Sequence, residues 1–238
     1  MNTWRGFERI DFEFDGHACI LVKPHQAAEG NPWVWRAEFF DAFAQADEAM
    51  AKKGWHVAYV KLSDRYGCPS AVEDMEKFRR HMVAEYGLSE KPAIFGFSRG
   101  GLYTVNYALT YPQHTGKVYI DAPVMDIRSW PGGKGRGIGN EKCWLECMEC
   151  YGLTEETAKT FDRNPLDRAE ELAKTRIPVI IVAGGADEAV PYEENGEPFV
   201  KRFRAAGGVV EEYVKPECGH HPHSLEDPTP IVEFLTRK

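Results

Sequence analysis

Apolar residues along the chain switch between short continuous runs and helical spacing, the alternation that builds a mostly parallel sheet with helices on both faces. Ala18 to Lys23 and Trp33 to Trp35 are strand candidates, separated by a polar loop with Pro24, Gly30 and Pro32. A helix is predicted from about Ala37 to Lys53, where Phe39, Phe40, Phe43, Ala46 and Met50 form an apolar stripe and Gly54 closes it. Trp55 to Leu62 is the next strand. Ala71, Val72, Met75, Phe78, Met82 and Tyr86 then make a second helical stripe that ends at Gly87. Ala93-Ile94-Phe95 reads as a short buried strand after Lys91-Pro92, with Leu102, Val105, Asn106 and Leu109 at helical spacing behind it until Tyr111-Pro112. Val118 to Ile120 and Pro178 to Ala183 continue the strands. Val200 to Ala206 predicts a helix, Val209 to Val214 the last strand, and Pro230 to Leu235 a closing helix.

Between Asp126 and Ile177 the strand pattern lapses into a glycine-rich stretch, Trp130 to Gly137, and a charged helical one. The expectation is a single domain over 1–238, with 127–176 inserted after the sixth strand as a rim or lid over the sheet edge. The glycines do not form a nucleotide phosphate loop, because no Lys-Ser or Lys-Thr pair follows and no strand feeds them.

Candidate chemistry is concentrated in Gly96-Phe97-Ser98-Arg99-Gly100, which reads G-x-S-x-G between an apolar run and a helix. A serine at the tip of a sharp strand-to-helix turn is forced toward positive φ, and the flanking glycines remove the Cβ atoms that would clash there. A serine hydroxyl is a poor nucleophile near neutral pH, so it requires a base, and the base a partner that fixes its tautomer. Asp187 follows a strand in Gly184-Gly185-Ala186-Asp187-Glu188-Ala189-Val190-Pro191, and His220 follows the last strand in Cys218-Gly219-His220-His221-Pro222-His223-Ser224. The order Ser, Asp, His after three successive strands predicts a catalytic triad. Taken singly, Asp187 is compatible with a turn cap and the histidine-rich loop with a metal site.

On these motifs the chain resembles an α/β-hydrolase over nearly its whole length: the elbow with Ser98, the acid loop 185–191 and the histidine loop 219–228. In such loops the catalytic histidine directly follows the glycine, which implies His220, with His221 and His223 as alternatives. Asp121 and Asp126 are alternative acids, because some members place the carboxylate after the preceding strand. The resemblance implies an oxyanion hole built from the backbone N–H of Arg99 and one from the loop that starts at Arg36, such as Ala37. Many relatives carry His-Gly at this point, whereas this chain has Arg36-Ala37-Glu38.

Arg36, Arg99, Lys134 and Arg136 are candidate cations at the mouth, and Trp130 a candidate face for a sugar. The competing expectation is that Arg36 and Arg99 form internal salt bridges with residues such as Glu38. An arginine directly after the nucleophile resembles carbohydrate esterases such as glucuronoyl esterases. The expected function is therefore a serine carboxylic-ester hydrolase acting through an acyl-enzyme on a saccharide-linked or other small polar ester, with no cofactor and no metal. A prolyl-oligopeptidase-type peptidase would use the same triad, but such enzymes usually carry a large further domain for which 238 residues leave no room. A non-catalytic receptor on the same fold is the other alternative.

Composition narrows this further. A formal charge of −8 without a basic stripe argues against nucleic acid as a partner. No run of eighteen apolar residues and no leader pattern at the N-terminus is visible, so no membrane association and a cytoplasmic location are expected. Six cysteines are too few for a disulfide scaffold. Cys143, Cys147 and Cys150 recur at helical spacing and are assigned to packing, as are Cys68 and Cys218.

Overall fold

A computed structural model describes residues 2–237. The chain begins with three antiparallel strands, β1 (Asn2–Trp4), β2 (Phe7–Phe14) and β3 (His17–Lys23). Six parallel strands follow: β4 (Trp33–Arg36), β5 (His56–Val60), β6 (Ala93–Phe97), β7 (Val118–Asp121), β8 (Val179–Gly184) and β9 (Val210–Lys215). All pair in one sheet, ordered β1-β2-β3-β5-β4-β6-β7-β8-β9. This is the α/β-hydrolase fold expected from the sequence, with a longer antiparallel edge than the apolar runs predict. The extra hairpin had its own signal: alternation over Ile10–Phe14 closed by Asp15-Gly16, both at positive φ, joins β2 to β3 by a two-residue turn.

The helices are α1 (Gln45–Lys52), α2 (Pro69–Tyr86), α3 (Gly100–Thr110), α4 (Glu141–Tyr151), α5 (Glu155–Lys159), α6 (Ala169–Lys174), α7 (Gly196–Ala205) and α8 (Thr229–Thr236). Helices α1 and α8 cover one face, packing Met50, Ile231 and Phe234 against Val34, Phe95, Phe97 and Tyr119. On the other face α2 and α3 bury Phe78, Met82 and Tyr107 on Trp33, Trp35 and Ile94, and α6 and α7 cover Ile120 and Ile181. The period-two alternation of the strands sends neighbouring side chains to these two cores. Among the described residues, no helix is long and apolar enough to cross a membrane.

Two sequence expectations change. The first is the helix over Ala37 to Lys53, which starts only at Gln45. Phe39, Asp41 and Phe43 have positive φ, so their stretch is a sequence of turns, and its phenylalanines pack in different directions. Phe40 meets Trp4 and Tyr59, while Phe43 stacks on His221. The second is the segment 127–176, which follows the seventh strand of the chain and not the sixth. It lies over the carboxyl ends of the strands and not over the sheet edge: Trp144, Cys147 and Met148 of α4 share a core with Tyr66, Leu102, Val124 and Val190.

The sheet also fixes where chemistry can occur. Strand β4 connects through α1 to β5 on one side, whereas β6 lies on its other side and the chain then proceeds away. Ligands in open α/β sheets bind where the order reverses, outside the carboxyl ends of the strands. Here that point lies between the loops after β4 and β6.

Candidate active site

Ser98 stands directly after β6 with φ of 51°. Its strained conformation is held on both sides: its N–H donates to Asp121 O at 2.9 Å, and its carbonyl accepts from Gly101 N and Val124 N. A Cβ on Gly96 would come within 2.5 Å of Gly100 O and Thr104 Oγ1, so the tight strand-to-helix turn requires glycine there.

The acid and histidine loops are held together by a similar absence of side chain. A Cβ on Gly184 would run into the carbonyl oxygens of Cys218 and Gly219, and Ala186 N donates to Cys218 O at 2.9 Å. This backbone contact brings Asp187 beside His220. Asp187 Oδ2 lies 2.7 Å from His220 Nδ1, and His220 Nε2 lies 2.9 Å from Ser98 Oγ. The other carboxylate oxygen, Oδ1, accepts from Ala189 N and Val190 N at 2.9 Å each, so the buried Asp187 cannot rotate away without losing two bonds. A charged carboxylate on Nδ1 fixes the tautomer with an unprotonated Nε2, and Nε2 then accepts the serine proton.

The alternative residues are occupied elsewhere. Asp121 is fully buried and accepts from His223 Nδ1 at 2.9 Å, Ser224 N at 2.7 Å and Tyr119 Oη at 2.6 Å. Asp126 forms a fork with Arg128. His223 is buried between Phe43 and Phe97, and His221 is exposed against Phe43.

The candidate oxyanion loop is corrected at one position. Ala37 N–H extends the β4–β6 ladder by donating to Phe95 O at 3.0 Å, so it is unavailable to a substrate. Among the described residues, the N–H groups of Arg99, Glu38 and Phe39 donate to no protein acceptor. They are the candidates next to Ser98.

Of the expected substrate cations, Arg36 and Arg99 follow the competing expectation of internal salt bridges, whereas Lys134 and Arg136 lie in exposed ion pairs. Arg36 is wholly buried, lies over the Phe97 ring at 3.9 Å, and forks onto Asp47 at 2.6 and 3.1 Å while Nη2 reaches Ala42 O. It supports the loop from below and cannot meet a substrate. Arg99 donates Nε to Glu38 Oε2 at 2.6 Å and Nη1 to Asp64 Oδ1 at 2.8 Å. Burial opposes its charge, but the two carboxylates outweigh burial and move its pKa further up. Burial pushes the Glu38 carboxyl above its ordinary value, against the opposing pull of Arg99 and Ser63. Lys134 pairs with Glu155 at 3.3 Å and Arg136 with Glu193 at 2.6 Å, both on the surface. Trp130 is half-buried, 6.3 Å from the Tyr66 ring, and so packs the rim as much as it presents a face.

Sequence reasoning missed Tyr66, which is fully buried and donates its hydroxyl to Glu146 Oε2 at 2.7 Å, joining α4 to the turn after β5. It also missed the Asp121–His223 pair as a pair, although both residues were singled out. Their shared signal was two histidines and two aspartates at strand ends, more than one triad needs.

A search of curated proteins found no match. Among solved structures the chain resembles a putative dipeptidyl aminopeptidase IV from Bacteroides ovatus (18% identity, TM-score 0.70, covering 97% of this chain and 35% of that one). It also resembles an acylaminoacyl peptidase from Pyrococcus horikoshii (17%, 0.67, 90% and 37%) and a puromycin hydrolase (20%, 0.69, 96% and 37%). At these identities the likeness is one of fold, and the chain spans about a third of the length of each. The resemblance to carbohydrate esterases gains no support from them. Residues 63–237 match the model of the prolyl oligopeptidase family, most of the chain and all of Ser98, Asp187 and His220, and the chain belongs to that family.

Proposed function

We propose that the protein is a serine hydrolase that cleaves peptide or peptide-like amide bonds through an acyl-enzyme. The observation that carries this is the unbroken line Asp187–His220–Ser98, at 2.7 and 2.9 Å, inside the residues that match a peptidase family. Ser98 Oγ attacks the carbonyl carbon as His220 Nε2 takes its proton. The imidazolium so formed is stabilised by Asp187, whose charge is held by the N–H groups of Ala189 and Val190. The oxyanion accepts from Arg99 N–H and from the N–H of Glu38 or Phe39. His220 then protonates the leaving amine, and water, activated by the same nitrogen, releases the acid. Residues 127–176 form the rim against which the substrate's remaining groups rest.

The saccharide-linked ester expected from the sequence is not favoured: Arg36 and Arg99 are held in internal salt bridges, and Lys134 and Arg136 pair with surface carboxylates. The test has two parts. A fluorophosphonate probe should label Ser98 in the wild type and leave Ser98→Ala unlabelled. A panel of aminoacyl and peptidyl coumarin amides, set against acyl p-nitrophenyl esters, should show turnover of at least one amide. Labelling with ester turnover alone would retain the hydrolase and remove the peptidase; no labelling of folded protein would remove both.

A further inference from the structure

The histidine loop holds more imidazoles than the triad uses. We infer that His220, His221 and His223 form a binding site for a divalent transition metal, with Zn2+ the fitting ion, and that its occupancy shuts off Ser98. One ligand nitrogen from each ring can be chosen so that all lie within 4.8 Å of one another, and the ring centroids are 4.8 to 5.0 Å apart. Nitrogens around a zinc ion at about 2.0 to 2.1 Å stand closer than this, so the rings must converge slightly. His221 is the exposed one and supplies that movement.

The surroundings favour a metal over a mere crowd of rings. Metal-bound histidines usually donate their second nitrogen to a carboxylate, which fixes the tautomer and raises the basicity of the ligating one. Two of these three already do so: His220 Nδ1 is on Asp187 at 2.7 Å, and His223 Nδ1 is on the buried Asp121 at 2.9 Å. In the neutral tautomer that these bonds select, each Nε2 carries the lone pair a metal would take. His223 Nε2 makes no hydrogen bond among the described residues, and the mechanism gives His223 no task. The two carboxylates behind the rings also favour a cation. Imidazole ligands suit zinc, copper and nickel, and exclude magnesium and calcium, which require oxygen.

Binding would be inhibitory, because the metal needs the same lone pair of His220 Nε2 that accepts the Ser98 proton. His221 is the residue with which to test this, since it is exposed and has no part in the proposed proton transfer. Co2+ added to the full chain should give a visible absorption that saturates at one ion per chain and is displaced by Zn2+. In His221→Ala the affinity should fall at least about tenfold, with circular dichroism unchanged. Zn2+ should slow fluorophosphonate labelling of wild-type Ser98, with EDTA restoring it, while His221→Ala labels at the wild-type rate and continues to label at the same Zn2+ concentration. Labelling of the wild type that is indifferent to Zn2+, equal inhibition of both proteins, or a strong near-ultraviolet thiolate band with Co2+, which would put the ion on cysteine, each overturns the proposal. The inhibitory half rests on the proposed role of Ser98. If Ser98 does not label at all, the hydrolase assignment fails and the Co2+ titration alone decides whether the metal site exists.

Discussion

Two carboxylate–histidine pairs stand side by side at the carboxyl end of the sheet, with nearly equal hydrogen bonds of 2.7 and 2.9 Å, and they differ in what lies beyond the ring. His220 turns its second nitrogen to the hydroxyl of a strained serine; His223 is enclosed by Phe43, Phe97 and the other two histidines. A buried carboxylate on an imidazole is therefore not a catalytic mark in itself. What separates the pairs is access to a nucleophile: on one loop, His220 reaches Ser98 Oγ and His223 does not.

The largest contrast should come from the two histidines. His220→Ala or Asp187→Asn should reduce kcat on the order of 10⁴-fold, by analogy with other triads, whereas His223→Gln should cost less than about tenfold. Steady-state rates on whichever amide the panel identifies check this, and comparable losses at both positions would erase the distinction.

Stability should show the reverse ranking. Asp121 accepts three hydrogen bonds in full burial, so Asp121→Asn leaves a donor facing a donor and should lower unfolding free energy by about 1 to 3 kcal/mol. Denaturant midpoints measure it. Asp187→Asn, at the more open pair, should fall at the lower end of that range.

Arg99 adds a pH-dependent version of the same contrast. Removing it in Arg99→Gln strands the buried Glu38 carboxylate, whose folded pKa is already raised by burial. A raised carboxyl pKa means that the native state binds more protons than the unfolded one, so stability falls as pH rises through the interval between the unfolded and folded values. The variant should therefore lose more stability at about pH 7.5 than at about pH 4.5, as read from urea titrations at both. A deficit independent of pH would mean that Glu38 is not the group left behind.

The smallest effect belongs to the rim. Lys134 pairs with Glu155 in solvent, and such pairs contribute at most about 1 kcal/mol, so Lys134→Ala should change stability by less than that and kcat/KM less than about twofold.

The grouping of Ser98, His220 and Asp187 was legible in the sequence because the local grammar around each is rigid. Gly96 and Gly184 each abut another backbone so closely that no other residue fits, and such positions leave glycines in the sequence next to the functional ones. The strands β4 to β9 were legible for a related reason, being buried runs bounded by turn residues. The segment Phe39–Phe43 was not, since its spacing satisfies a helix and only tertiary contacts, Phe40 with Trp4 and Phe43 with His221, divert it into turns. For the arginines the sequence left two expectations open, substrate contact or internal salt bridges such as with Glu38, and only the fold chooses the second for Arg36 and Arg99. Nothing local to Arg36 announces Asp47 on the next helix, or that the pair is sealed from water. Charge near a site is visible in a sequence; whether that charge is already neutralised is a property of the fold.

The segment between β7 and β8 has a consequence for how such a chain can diverge. Ser98 lies before it, and Asp187 and His220 lie after it, so in the proposed hydrolase the reacting groups and the rim are written on separate stretches of the chain. Insertions, deletions or exchange within residues 127–176 would reshape the rim while leaving both flanking stretches intact, provided that Trp144, Cys147 and Met148 keep an apolar stripe toward Tyr66 and Leu102. In the proposed hydrolase, recombination within this segment would vary selectivity while leaving Ser98, Asp187 and His220 in place.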